Sequence, residues 1–181
     1  MRLYPLLIVL LITTVPLVAR NPDPCSTENL PTAVQELLKS KYPSLRPKAI
    51  SDLEGYDRKL WIATNAHACP GIAFGSFENL GQRGYAILLV STSGAKDEYK
   101  IVVVALRKGS AEYHISLLDH GQDTPDSGLV ISRVPPGKQT GFDDGQSIVL
   151  KIDAVNVEWL EKSSVLYYYA KGKYHQLQTS D

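Results

Sequence analysis

The sequence predicts an α+β fold, with one N-terminal helix packed on a mainly antiparallel β-sheet of about 8–10 short strands. Three observations carry this expectation. A helical apolar spacing occurs once, at Val34, Leu37 and Leu38. From residue 60 onward the apolar runs have strand length and are separated by glycine, proline, asparagine and aspartate turn signals. No second helical period alternates with those runs, so a parallel sheet built of strand–helix–strand units is not expected.

The elements follow in chain order. Met1 and Arg2 give a short positive start, residues 3–19 carry no charge, and Pro16 precedes the small-residue end at Ala19. This is the pattern of a cleavable signal peptide covering residues 1–19. A spanning helix needs about 20 apolar residues, whereas this run is shorter and carries Thr13, Thr14 and Pro16. The mature chain is therefore expected to be exported, periplasmic or secreted, with no transmembrane segment. Residues 20–30 are polar and proline-rich and read as a linker, which leaves 31–181 as a single α+β domain. Thr32 and Gln35 read as the capping box of the helix, and Tyr42-Pro43 ends it, because a residue before proline avoids the helical region.

Strands are expected at 60–63, 71–77, 85–91, 99–106, 112–118, 129–134, 147–152 and 155–160. The runs 85–91 and 99–106 are apolar on both faces, as central buried strands are. The run 112–118 alternates, with Tyr113, Ile115 and Leu117 on one side and His114 and Ser116 on the other. A closing hairpin pairs 165–170 with 173–179 and turns at Lys171-Gly172.

Composition bounds the partners. The full chain has 19 basic and 19 acidic residues, and removing residues 1–19 takes away Arg2, leaving 18 against 19 and a net charge of −1. Affinity for a polyphosphate backbone comes from a surplus of Lys and Arg, so nucleic acid is not an expected partner. Two cysteines, Cys25 and Cys69, stand 44 residues apart. In an oxidising compartment such a pair is expected to bridge, and closing that loop stabilises a fold by about 4 kcal/mol in the chain-entropy account.

One stretch carries a family resemblance. Gly75, Phe77, Gly81 and Ala86-Ile87 stand at the spacing of Gly-Asp-Phe-Asn-x-Asp-Gly-x-x-Asp-Leu-Ala-Val. Residues 75–87 thus resemble a degenerate copy of the FG-GAP (VCBS-type) repeat of extracellular β-propellers. In that family the aspartates bind calcium. Here Ser76, Leu80 and Gly84 stand in their places and Glu78 replaces the Asn, so the resemblance implies a hairpin and not a calcium site. More broadly, the helix ending in Tyr42-Pro43, Trp61, the Cys69-Pro70-Gly71 segment and the tyrosine-rich terminal hairpin together resemble small uncharacterised secreted bacterial proteins. That likeness implies an α+β domain and brings no activity with it.

Candidate chemistry is sparse. Asp119, His120, Asp123 and Asp126 lie in one polar segment and Asp143-Asp144 in another. If the two met at one end of the sheet, their carboxylates could bind a cation or serve a hydrolase, although the spacing matches no EF-hand or zinc pattern. Ser93 and Lys96 have the Ser-x-x-Lys spacing of serine acylases but sit in a polar turn without the companion motifs. His67, His114, His120 and His175 show no ligand spacing. Tyr167, Tyr168 and Tyr169 place two rings on one strand face and one on the other, a possible binding surface. No cofactor motif is present, and none is expected. The expected function is non-enzymatic binding of a protein or cell-envelope component. The alternative is a hydrolase or cation-dependent enzyme built on the acidic loops.

The apolar start predicts a processed N-terminus. Intact-mass measurement of protein recovered from the periplasm or medium should give a chain beginning near Arg20. A chain that retains Met1 would contradict the signal-peptide assignment.

Overall fold

The computed structural model describes residues 23–66, 68–92, 98–122, 128–142 and 145–181. The helix α1 spans Thr32–Lys41 and a second helix, α2, spans Gly55–Asn65. The strands among the described residues are β1 (Leu45–Pro47), β2 (Ile72–Gly75), β3 (Gly84–Ser91), β4 (Glu98–Leu106), β5 (Tyr113–Gln122) and β6 (Leu129–Val134). They continue with β7 (Gly137–Thr140), β8 (Ser147–Leu150), β9 (Ala154–Trp159), β10 (Ser163–Ala170) and β11 (Lys173–Ser180). Every strand pair is antiparallel.

Three expectations are corrected. The second helix was not foreseen, and residues 60–63, read as a strand, lie within it. Four consecutive apolar residues on a helix point in different directions, and only Trp61 is fully buried while Ile62 faces outward. The strands also form two main sheets and a hairpin instead of one sheet. The first sheet runs β1-β3-β4-β5, with β2 also paired to β3; the second runs β11-β10-β9-β6; β7 and β8 pair with each other. Thr32 is the first helical residue, not the cap: Pro31 holds that position, and the Gln35 side chain donates to the Leu30 carbonyl at 2.8 Å.

The alternation of each strand assigns the layers. Ala86, Leu88 and Val90 of β3, with Ile101, Val103 and Ala105 of β4, face Leu129, Ile131, Val155, Val157 and Tyr167 of the second sheet. The opposite face of the same strands, Tyr85, Ile87, Leu89, Val102 and Val104, packs on Val34 and Leu38 of α1. On the far side of the second sheet, Val130 and Leu160 meet Trp61 of α2 and Leu53. Leu166 and Leu177 on that side meet Leu150 and Ile148 of the β7–β8 hairpin. The order is therefore α1, first sheet, second sheet, then α2 and the hairpin side by side. No described helix is long and apolar enough to cross a membrane.

One edge of β3 is completed by two strands laid end to end. β1 pairs with residues 89–91 and β2 with residues 84–87. At the junction the Lys48 N–H donates to the Leu88 carbonyl, and the Leu88 N–H donates to the Gly71 carbonyl, both at 2.9 Å. The two chain ends abut so closely that a Cβ on Gly71 would lie 2.3 Å from the Lys48 carbonyl oxygen. The Cys25–Cys69 disulfide sits beside this junction with both cysteines buried, and it brings residues 23–30, read as a linker, into contact with the core through Cys25 and Leu30.

This geometry sets a stability prediction. Gly71→Ala should cost about 2–4 kcal/mol, because the methyl collides with backbone that cannot move without breaking the β3 ladder. Replacing both cysteines by serine should cost about 2–5 kcal/mol. Urea denaturation followed by circular dichroism measures both; an unchanged midpoint for Gly71→Ala would mean that the junction is looser than described.

Candidate functional site

The terminal hairpin creates the most distinctive surface of the molecule. Lys171 and Gly172 both have positive φ, 52° and 81°, the signature of the two-residue turn that matches strand twist. The turn fixes the register of β10 and β11, from Ala170↔Lys173 through Tyr169↔Tyr174 to Tyr167↔Gln176. On its other side β10 pairs with β9, but only as far as Tyr167↔Val155. Beyond that pair the chain preceding β9 swings away toward the β7–β8 hairpin. A groove of about 410 Å³ opens between residues 149–152 and residues 168–171.

Its walls are aromatic, aliphatic and cationic. Tyr168 stacks on His175 with ring centres 5.4 Å apart, and Tyr169 meets Tyr174 edge-on at 5.1 Å. His175 Nε2 lies 3.2 Å from the Ala170 carbonyl oxygen, which steadies the turn. Val149, Leu150 and Ile152 supply apolar surface, and the exposed Lys151 and Lys171 supply positive charge.

Glu78 reaches the groove from the β2–β3 connection. Its carboxylate is almost fully buried and is held by β5: Ser116 Oγ donates to Oε1 at 2.9 Å, and His114 Nε2 lies 2.8 Å from Oε2. His114 Nδ1 is buried without a hydrogen-bond partner among the described residues. The Tyr174 hydroxyl is buried beside the same carboxylate; loss of water and the nearby charge push its phenol well above the ordinary tyrosine value. Next to this cluster, Asp153 Oδ2 accepts from the Ser76 N–H at 2.6 Å and Oδ1 accepts from Arg133 Nε at 2.9 Å. Two carboxylates thus fasten the β2–β3 connection, one to each sheet.

The sequence-derived candidates fall unequally around this site. Cys25 and Cys69 are bridged, as expected. Tyr167 is buried between the sheets, so its ring offers nothing to a partner, whereas Tyr168 and Tyr169 are half-buried and line the groove. Asp119 belongs to the seam between the sheets: Tyr99 donates to its Oδ2 at 3.1 Å and the His120 N–H to its Oδ1 at 2.8 Å. Burial, and the Asp119 charge after it, push the Tyr167 phenol well up. His120 itself is exposed. Asp123, Asp126, Asp143 and Asp144 lie outside the described residues, as do Ser93, Lys96 and His67. Among the described residues no group of three or more His, Cys, Asp or Glu side chains could hold a metal ion.

Sequence reasoning passed over Glu78, which was read only as a departure from a calcium motif. It also placed His114 and Ser116 on the polar face of an alternating strand without a partner for them. The available signal was their i, i+2 spacing on one face. The groove cations, Lys151 and Lys171, carry no sequence signal at all.

The buried phenols generate a pH prediction. Tyr167 and Tyr174 have folded values above the ordinary one near 10, so the stability they contribute is present below about pH 10 and is lost as pH rises beyond it. Phenolate absorbance should therefore rise in two stages, the second coinciding with loss of circular dichroism. Tyr174→Phe should shrink the second stage. A single stage complete before unfolding would mean that both hydroxyls reach water.

Comparison of this chain with protein families, with curated proteins and with solved structures yields no match in any of the three.

Proposed function

We propose that this chain is an exported, non-enzymatic binding protein whose contact surface is the groove between residues 149–152 and the β10–β11 hairpin. The carrying observation is the combination in one concavity of two half-buried tyrosine rings, an aliphatic wall and two exposed lysines. Aromatic rings provide large contact area at small entropic cost and are enriched where protein partners bind. Two of the described carboxylates are held within the fold itself. Glu78 is committed to Ser116 and His114, and both oxygens of Asp119 accept hydrogen bonds within the fold. The enzymatic alternative would rest on Asp123, Asp126, Asp143 and Asp144, which lie outside the described residues. The bridged cysteines accord with an oxidising compartment.

The test is capture from cell-envelope extract with the mature domain as bait, compared with Tyr168→Ala and Lys151→Glu. Lys151 is exposed, so its replacement should leave folding within about 0.5 kcal/mol. A contact made by Tyr168 should be worth about 1–2 kcal/mol of affinity, a loss of roughly tenfold. Partner capture equal for all three proteins would move the contact surface away from the groove.

A further inference from the structure

The groove is also a missing strand. In an antiparallel ladder, successive residues direct their N–H and C=O groups alternately to one neighbour and then to the other. The turn at Lys171-Gly172 makes Ala170↔Lys173 a hydrogen-bonded pair, so residues 168 and 170 direct their backbone groups to β11. Tyr167 and Tyr169 therefore direct theirs to the other side. There Tyr167 meets Val155 of β9, but the β9 ladder ends at that pair. The Tyr169 N–H and C=O face the groove with no backbone partner among the described residues.

We infer that the groove takes an extended acidic peptide segment, which adds to the edge of β10 at Tyr169 in the position that β9 vacates. This rests on the binding role proposed above and names the mode and the chemistry of the partner. Strand addition draws its affinity from main-chain hydrogen bonds and its selectivity from alternate side chains. The free edge runs over residues 168–170 before the turn closes it. A segment of about three residues, spanning ~10 Å at strand rise, therefore fills it.

The two faces of the sheet set what flanks such a segment. One face carries Tyr169 and Tyr174, and the other carries Tyr168 and Leu150. Both favour aliphatic or aromatic side chains. At the mouth, Lys151 and Lys171 favour acidic ones: among the described lining residues two exposed lysines stand against one carboxylate, Glu78, which is buried on His114 and Ser116. Charge complementarity therefore selects an acidic peptide over a basic one.

The experiment uses the mature protein and four probes: the blocked peptide acetyl-Val-Glu-Val-Glu-amide, the same peptide with backbone N-methyl groups, its lysine counterpart acetyl-Val-Lys-Val-Lys-amide, and cellotetraose as a neutral sugar. Amide resonances and hydrogen exchange are followed by NMR. The acidic peptide should shift residues 168–170 and slow exchange at Tyr169, while N-methylation should weaken binding about tenfold, the worth of the lost backbone hydrogen bonds. Lys151→Glu combined with Lys171→Asn should weaken the acidic peptide by a similar factor and narrow its advantage over the lysine peptide. Asn is chosen at position 171 because it tolerates the left-handed backbone there.

Equal binding of the N-methylated peptide, with the same residues shifted, overturns strand addition while leaving a groove that binds. Cellotetraose shifting residues 168–170 where the peptide does not overturns the peptide assignment. Absence of any shift with all four probes overturns the strand-addition inference, whereas groove-independent capture from envelope extract overturns the groove reading itself.

Discussion

Strand β3 has no face that water can reach: from Gly84 to Val90 every residue is buried. A strand of that composition must be covered on both sides and paired on both edges, because each unpaired backbone group left in the interior costs about 1–3 kcal/mol. The rest of the molecule is arranged to meet this demand. α1 covers one face and the second sheet covers the other. β4 completes one edge, and β1 and β2, joined at Gly71 and Lys48, complete the other. The disulfide lies at the point where that composite edge has no continuous chain of its own.

The seam between the sheets adds a second level of specification. Apolar side chains fill most of it, but Asp119 with Tyr99 and Tyr167, and Glu78 with His114 and Ser116, place polar contacts at defined points. Apolar packing tolerates small slips between layers, whereas a buried carboxylate that loses its donors pays the full cost of its missing water. The second sheet meets these clusters through Tyr167, beside Asp119, and Tyr174, beside Glu78, and those two contacts set how the sheets sit on each other. The groove inherits its shape from that placement, since Glu78 contributes to it from one sheet and the tyrosines from the other.

Much of the fold was legible because strand length, two-sided burial and turn chemistry are local properties. The runs at 85–91, 99–106 and 129–134 and the hairpin at Lys171-Gly172 are found where the sequence places them. α2 was not legible: it buries mainly Trp61, so no apolar stripe repeats along it. β1 and β7 were missed for a related reason. β1 is three residues long and ends in Pro47, and β7, Gly-Lys-Gln-Thr, has no apolar face. The division into two sheets depends on which strands become neighbours, a long-range property that periodicity does not carry. Of the site, Tyr168 and Tyr169 could be seen in advance. The vacancy beside Tyr169 could not, because it arises where the β9–β10 ladder stops short.

The loop closed by Cys25 and Cys69 contains both helices, and they lie on opposite outer surfaces of the sandwich, α1 against the first sheet and α2 against the second. The covalent ring therefore works as a buckled strap around the two sheets. A protease that cuts the strap once releases no fragment, since the two cut ends remain joined through sulfur. Apart from β1, the strands of both sheets lie downstream of Cys69 on one continuous chain, so what the bridge retains after such a cut is the piece N-terminal to it, held at Cys25. That tolerance of a single cut is a form of durability separate from thermodynamic stability.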